Sequence, residues 1–388
     1  ARMTESSRIL PTMLLIWLGF IGLYTVTYLG FPLYADELIQ FDTAQNFVRR
    51  GELVRTYGYD LQQQVITNGA PWAPAAQEPF MAIVIAPLTA LGLTVPALGI
   101  VHVTTISNII ISALTVASFY AVARRIGWSH RAALIGAVLL GIGTFTWTYS
   151  RLLFREPLMA VFTIWAFGLA IKLRGHPRDR WRWAAFGLSL VGMALTKVVA
   201  LLALPGLLII LSPDLATLRR NRRVVLFGLL AVGGLTLVAL LASQSALLEG
   251  TRYSWSRYEN YVRNLSLTSV FESLVGYQVS PARSIWLYAP VLLIGLPGAW
   301  SLIRDGRWRW VAAPIITIIA FSIGYGVIHR TVWWGGWSWG PRYFVPLLPV
   351  LMLLTLPTLQ GIKSAGRAWP KVALVALAII SVAVQWLG

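Results

Sequence analysis

Two adjacent carboxylates, Asp36 and Glu37, lie within five residues of the end of a long uncharged run, in the stretch FPLYADELIQFD. That run, Ile9 to Phe31, is long enough to cross a bilayer. Carboxylates where a helix leaves the lipid are costly to desolvate, and ionisable groups at membrane depth default to function. A base working at the outer surface on a lipid-borne substrate would sit there. Leu38, Phe41 and Ala44–Phe47 recur at near-helical spacing over 35–50, which predicts an amphipathic helix on the membrane surface, stopped by Gly51. Asp36 falls at its N-terminal end, where the helix dipole favours an ionised carboxylate. The same position also suits a plain N-cap.

Other charges at the edges of apolar runs extend this constellation. YSRLLFREP places Arg151, Arg155 and Glu156 at the outer end of a span. Glu156 reads either as a second acidic group facing the site or as half of an interfacial ion pair worth under about 1 kcal/mol. Lys197 interrupts the otherwise uncharged GMALTKVVALLALP, and at an outer turn it would meet a phosphate or a carboxylate. Arg283, in VSPARSIWLYAP, abuts another span. The segment HRTVWWGGWSWGPRY packs four Trp within seven residues, followed by Arg342, a density that a lipid-interface belt explains poorly. Glycine lets backbone approach a ligand and indole faces stack on sugars or isoprenoids. Tyr34, Trp334, Trp337 and Tyr343 are the aromatic candidates for sugar or acceptor contact. The 244–283 stretch interleaves Arg252, Arg257 and Arg263 with Tyr253, Trp255, Tyr258 and Tyr261, which an interfacial aromatic belt accounts for.

These groups need a membrane scaffold, and composition supplies it. Of 388 residues, 57% are hydrophobic and 12% charged, with a mean hydropathy of +0.69. A soluble domain carries roughly twice that charged fraction. The net charge of +18 does not indicate nucleic acid, because Arg and Lys cluster in loops where membrane orientation requires them. Cysteine is absent and four His show no HExxH pair, so no zinc site is expected. The first apolar run reads as a retained helix, not a cleaved leader.

Apolar runs lie at about 9–31, 80–98, 99–122, 131–148, 156–173, 183–212, 224–243, 284–303, 310–328, 343–360 and 371–388. The positive-inside rule places the basic loops 123–131, 172–182, 214–223, 304–309 and 361–371 in the cytoplasm. They share that side only if 80–98 is in-plane or re-entrant and 183–212 crosses twice, turning near Thr196 and Lys197. The expectation is one all-α polytopic domain over 1–388, with about eleven spans. Segments 32–98, 149–155, 244–283 and 329–342 then face outside, and membrane-surface helices occupy the first. No internal repeat is visible, which counts against inverted-repeat transporters.

In order along the chain stand YADE after the first span, the proline-led EPF, then AVARRIGWSHRAALIGAVLLGIGTFTWTYSRLLFREPLM, GMALTK, SPARSIWLYAP and GGWSWGPRYFVPLLP. This series resembles the GT-C superfamily of membrane glycosyltransferases, which take sugar from a polyprenyl-phosphate donor. Protein O-mannosyltransferases and the aminoarabinose transferase of lipid A belong to it. The resemblance covers residues 9 to about 212, with the two later segments added. It implies that Asp36 is the catalytic base with Glu37 beside it, and that Lys197 lies near the donor phosphate. Glu156 stands where that group usually has Asp, and EPF replaces its usual PP pair.

The implied activity is inverting transfer of a sugar from a polyprenyl-phosphate donor to a hydroxyl acceptor on a protein, lipid or glycan. The site would face the outer side of the plasma membrane. Lys197, Arg283, Arg342 and Arg151 would hold the donor phosphate. No cofactor is required, although two acidic groups could share a divalent cation. A transporter or flippase of a lipid-linked substrate is the alternative, and a structural subunit a third reading. A flippase would show a polar path through the bundle, and the spans offer little beyond His102 and Asn108.

Overall fold

A computed structural model describes residues 9–57, 73–75, 77–212, 263, 265–362 and 368–388. Its described residues form an all-helical membrane bundle. The helices are α1 (Ile9–Val26), α2 (Ala35–Arg50), α3 (Phe80–Thr94), α4 (Ile100–Thr105), α5 (Ser107–Arg125), α6 (His130–Gly143), α7 (Thr146–Ser150), α8 (Glu156–Gly175), α9 (Arg180–Thr196) and α10 (Leu204–Leu211). They continue with α11 (Leu267–Val279), α12 (Ile285–Tyr288), α13 (Gly295–Arg304), α14 (Arg309–His329), α15 (Leu348–Met352), α16 (Leu356–Gly361) and α17 (Trp369–Trp386). Tight 3-10 turns fill several joints, notably Val198–Ala203, Pro290–Ile294 and Arg342–Leu347. A two-residue antiparallel pair, Val54–Arg55 with Ala73–Pro74, follows α2.

Six described segments are long and apolar enough to cross a membrane, beginning at Ile9, Ile100, Glu156, Arg309, Arg342 and Trp369. The stretches Phe80–Thr94, His130–Gly143, Val198–Leu211 and Pro290–Arg304 are apolar but shorter. A helix of fourteen residues extends about 21 Å, less than the roughly 30 Å hydrocarbon core. The eleven-run expectation thus divides into long and short helices. The 224–243 run and the 214–223 loop lie outside the described residues.

The core sits around α5, which packs between α1 and α8, with α8 in turn against α9. The window from α4 to the end of α5 is 83% buried, whereas those of α1 and α17 are only 17% and 11% buried. The large exposed side chains of α1 and α17 are leucine, isoleucine and valine, with Trp369 and Trp386 at the two ends of α17, as a lipid-facing rim requires. Small residues let the central helices touch: a Cβ on Gly168 would come within 2.5 Å of Val122 on α5.

The reversal expected near Thr196 and Lys197 is present. Lys197 has an extended backbone, φ −165°, and ends α9. Its amine meets Glu156 on the first turn of α8. On the last turn of α8, Arg174 donates to the carbonyls of Ile210 and Ser212, at the far end of α10. So α9 climbs from Arg180 to Lys197 and the chain returns to Ser212. Further contacts gather the basic loops at that lower end: Arg309 reaches Ser212, Trp128 packs edge-on against Trp310, and Ser129 N–H donates to Gln360.

The first outer segment departs from expectation in its packing. Phe41 and Ala44 of α2 are buried against Met81, Ala82 and Ile85 of α3, so this apolar stripe faces protein. Its polar residues are also committed. Asp42 accepts hydrogen bonds from the Thr56 N–H at 2.6 Å, the Thr56 hydroxyl at 2.8 Å and the Tyr57 N–H at 3.2 Å. Gly51 terminates α2 as read from the sequence, with φ 73° in the left-handed region.

Candidate functional site

At the upper end of the bundle, five separate segments bring charges together. Arg342, beginning the 3-10 turn after the Trp-rich loop, donates to Asp36 Oδ2 at 2.8 Å. Its Nε lies 3.7 Å from Glu156 Oε1, and Glu156 Oε1 also accepts from Lys197 Nζ at 2.9 Å. Glu78, just ahead of α3, pairs with Arg155 and accepts the Val198 N–H at 3.2 Å. Three carboxylates therefore interleave with three cations. Aromatic faces complete the cluster: Lys197 Nζ sits 4.6 Å above the Tyr343 ring, and Arg342 lies 4.6 Å from Phe154 and 4.9 Å from Tyr343.

Exposure separates the carboxylates. The Asp36 side chain is 35% exposed, against 3% for Glu156 and 2% for Glu78. Asp36 is held at both oxygens, since Gln77 donates to Oδ1 at 2.6 Å and is itself gripped by Gln40 at 2.7 Å. Burial pushes the Asp36 carboxyl up, but the Arg342, Arg155 and Lys197 cations outweigh it and hold it below the ordinary carboxylate value. It is ionised at neutral pH. The N-cap reading does not hold for Asp36, because Tyr34 takes the cap position and the Asp36 side chain turns toward Arg342.

Glu37 does that local work instead. Fully buried, it accepts the N–H groups of Leu33 and Tyr34 at 3.0 Å on Oε1 and that of Leu153 at 2.5 Å on Oε2. It thereby ties the start of α2 to the turn that carries Arg155 and Glu156. Asn108 of α5 secures the same turn by donating to the carbonyls of Leu152 and Phe154. The ion-pair reading of Glu156 finds its partner in Lys197 and not in the neighbouring arginines, while Arg155 pairs with Glu78, since consecutive residues entering a helix point to different neighbours.

The remaining sequence candidates divide. Arg283 donates to the carbonyls of Gly336, Ser338 and Gly340, so its guanidinium organises the Trp-rich loop. Gly335 and Gly336, at φ 87° and 75°, give the left-handed turn that points those carbonyls at one cation. Arg151 is half-buried, with no hydrogen bond or ion pair among the described residues. Tyr343 is buried, stacked on Tyr325 at 3.8 Å, and forms a wall of the charge cluster, not an open aromatic platform. Tyr34 is half-buried against Phe154, Trp334 rests edge-on against Trp333, and Trp337 stands 95% exposed.

Sequence reasoning missed Gln77, Glu78 and the Tyr325–Tyr343–His329 stack. Glu78 and Gln77 carried a signal, two polar residues ahead of a proline-led apolar helix, but that stretch read only as a helix start. The stack had none, because Tyr325 lies in an otherwise ordinary apolar run and His329 opens the outer segment that follows it. Among the described residues no group of three His, Cys, Asp or Glu gathers to hold a metal.

Residues 102–246 match the family model for dolichyl-phosphate-mannose-protein mannosyltransferase, a family of GT-C glycosyltransferases. The matched stretch includes Arg151, Arg155, Glu156 and Lys197, while Asp36, Glu78 and Arg342 lie outside it. No curated protein matches the chain.

Proposed function

We propose, for a chain that carries a GT-C glycosyltransferase domain over 102–246, that it moves mannose from a polyprenyl-phosphate donor to a hydroxyl of a protein at the outer membrane face. Asp36 is the general base. Relative exposure carries this reading: of the carboxylates at the cluster, Asp36 alone combines access from outside with a fixed orientation.

In the proposed step, the acceptor oxygen attacks the anomeric carbon while its proton passes to an Asp36 oxygen. The bond from that carbon to the phosphate oxygen breaks, and the polyprenyl phosphate departs with the electron pair. A single displacement inverts the anomeric centre. The leaving phosphate needs cations more than an acid. Arg151 is the cation best able to accept it, because Lys197 and Arg342 already neutralise Glu156 and Asp36 and Arg283 is committed to carbonyls. Lys197 and Arg342 then supply field and position; Glu156 holds both, and Glu78 fixes Arg155 and the Val198 N–H beside Lys197. The exposed Trp337 and the half-buried Trp334 and Tyr34 offer faces for the sugar or acceptor.

The test is reconstitution in vesicles with labelled mannosyl-phosphoryl-polyprenol and a Ser/Thr-containing peptide. Labelled peptide and an equal amount of freed carrier phosphate are expected. Donor that merely changes leaflet, with no acceptor-dependent release of carrier, would replace the enzyme by a flippase.

A further inference from the structure

At the other end of α8 lies a second basic feature that the transfer chemistry does not use. From Glu156 to Lys172 the helix advances about 24 Å. There a cavity of about 380 Å³ opens between α5, α8 and α9, lined by Arg125, Lys172 and Arg182 together with Val122, Trp165 and Leu169. Three helices each contribute one cation to a space with an apolar side.

The basic residues at this end fall into two groups. Arg124 and Arg174 complete helix ends, donating to the carbonyls of Trp128 and of Ile210 and Ser212. Those two do what orientation and the helix dipole ask of terminal cations. The cavity's own cations are used differently. Lys172 makes no hydrogen bond or ion pair among the described residues. Arg125 lies over the Trp165 ring at 4.9 Å, which orients its guanidinium without neutralising it. Arg182 pairs through Nε with Asp179 at 3.2 Å, yet its Nη1 is buried with no partner. Asp179 is the acid in contact here, and it also caps α9 by accepting the Trp181 and Arg182 N–H groups. Two or more uncompensated positive charges therefore converge on one pocket, and a buried unpaired N–H is costly.

We propose that this cavity binds the phosphate headgroup of an anionic membrane lipid, with Arg125, Lys172 and Arg182 on the phosphate oxygens. The acyl chains would leave along Val122 and Leu169. Arg suits phosphate through its paired N–H fork, and basic pockets between membrane helices at the positive-inside end take anionic headgroups. The site is independent of the transfer reaction at the opposite end.

The experiment is native mass spectrometry of the full chain taken from bilayers of equal parts phosphatidylcholine and phosphatidylglycerol. The wild-type protein is expected to retain phosphatidylglycerol selectively. An Arg125→Gln, Lys172→Gln, Arg182→Gln triple variant should retain far less, by about fivefold per cation removed. Leu169→Trp, which fills the cavity and leaves every charge in place, should also lose the lipid, and it serves if the triple variant does not fold. Equal retention by wild type and by either folded variant overturns the site. Displacement of the lipid by inorganic phosphate alone would show a soluble-phosphate site and overturn the lipid assignment.

Discussion

The two ends of α8 both gather arginine and lysine, and they treat them in opposite ways. Around Glu156, three cations and three carboxylates from five segments match one another and pack against aromatic rings. Around Lys172, the acid in contact with the cavity cations among the described residues is Asp179, already engaged in capping. The difference is one of burial. Charges inside a bundle must be compensated by the protein, because an isolated buried ion is too costly. Charges at the interface can leave their compensation to lipid phosphates. A closed network suits chemistry that needs fixed geometry, and an open one suits reversible capture of an anion.

That contrast can be broken directly. Glu156→Gln removes a charge that neutralises both Lys197 and Arg342, and it should destabilise the folded protein by about 3–5 kcal/mol, read as a lowered midpoint in a thermal or denaturant scan. A change under about 1 kcal/mol would mean the cluster is not closed. Arg151→Gln tests an upper-end cation that, among the described residues, resembles the lower end in having no hydrogen bond or ion pair. It should weaken donor binding by roughly ten- to a hundredfold with stability intact, the scale of a charge-assisted hydrogen bond.

A pH series sharpens the upper end further. Burial pushes the Glu37 carboxyl up from 4.5 to about 7, with the Asp36 charge adding to it, against the pull of three backbone N–H groups. A carboxyl raised on folding binds its proton more tightly in the native state, so its contribution is complete below 4.5 and is lost as the pH rises through about 7. Wild-type stability should fall over that window relative to Glu37→Gln, in which this titration is gone. The smallest effect belongs to Lys172→Gln, which should shift stability by no more than about 0.5 kcal/mol.

Much of this architecture was legible in the chain because membrane insertion writes itself into composition. The apolar runs, the basic loops at one end and the reversal at Lys197 follow from the cost of placing charge in lipid. Asp36, Glu156, Lys197 and Arg342 stood out for the same reason, and the structure brings all four together. Pairing was not legible. Nothing in REP says that Arg155 turns to Glu78, more than seventy residues earlier, while Glu156 turns to Lys197. Arg283 is a similar case: three carbonyls converge on it only because the glycine turn folds back, and its sequence neighbours do not reveal that. The lower cavity was invisible because its cations looked like ordinary orientation signals.

If Asp36 takes the acceptor's proton, the network around it must hold its geometry while the proton moves. Asp36→Asn keeps an oxygen for Arg342 and removes the base. Mannosyl transfer to a peptide in vesicles, measured beside donor binding, should fall by about 10²- to 10⁴-fold with donor affinity within a few-fold of wild type. Transfer at the wild-type rate by the folded, donor-binding variant would rule out Asp36 as the base.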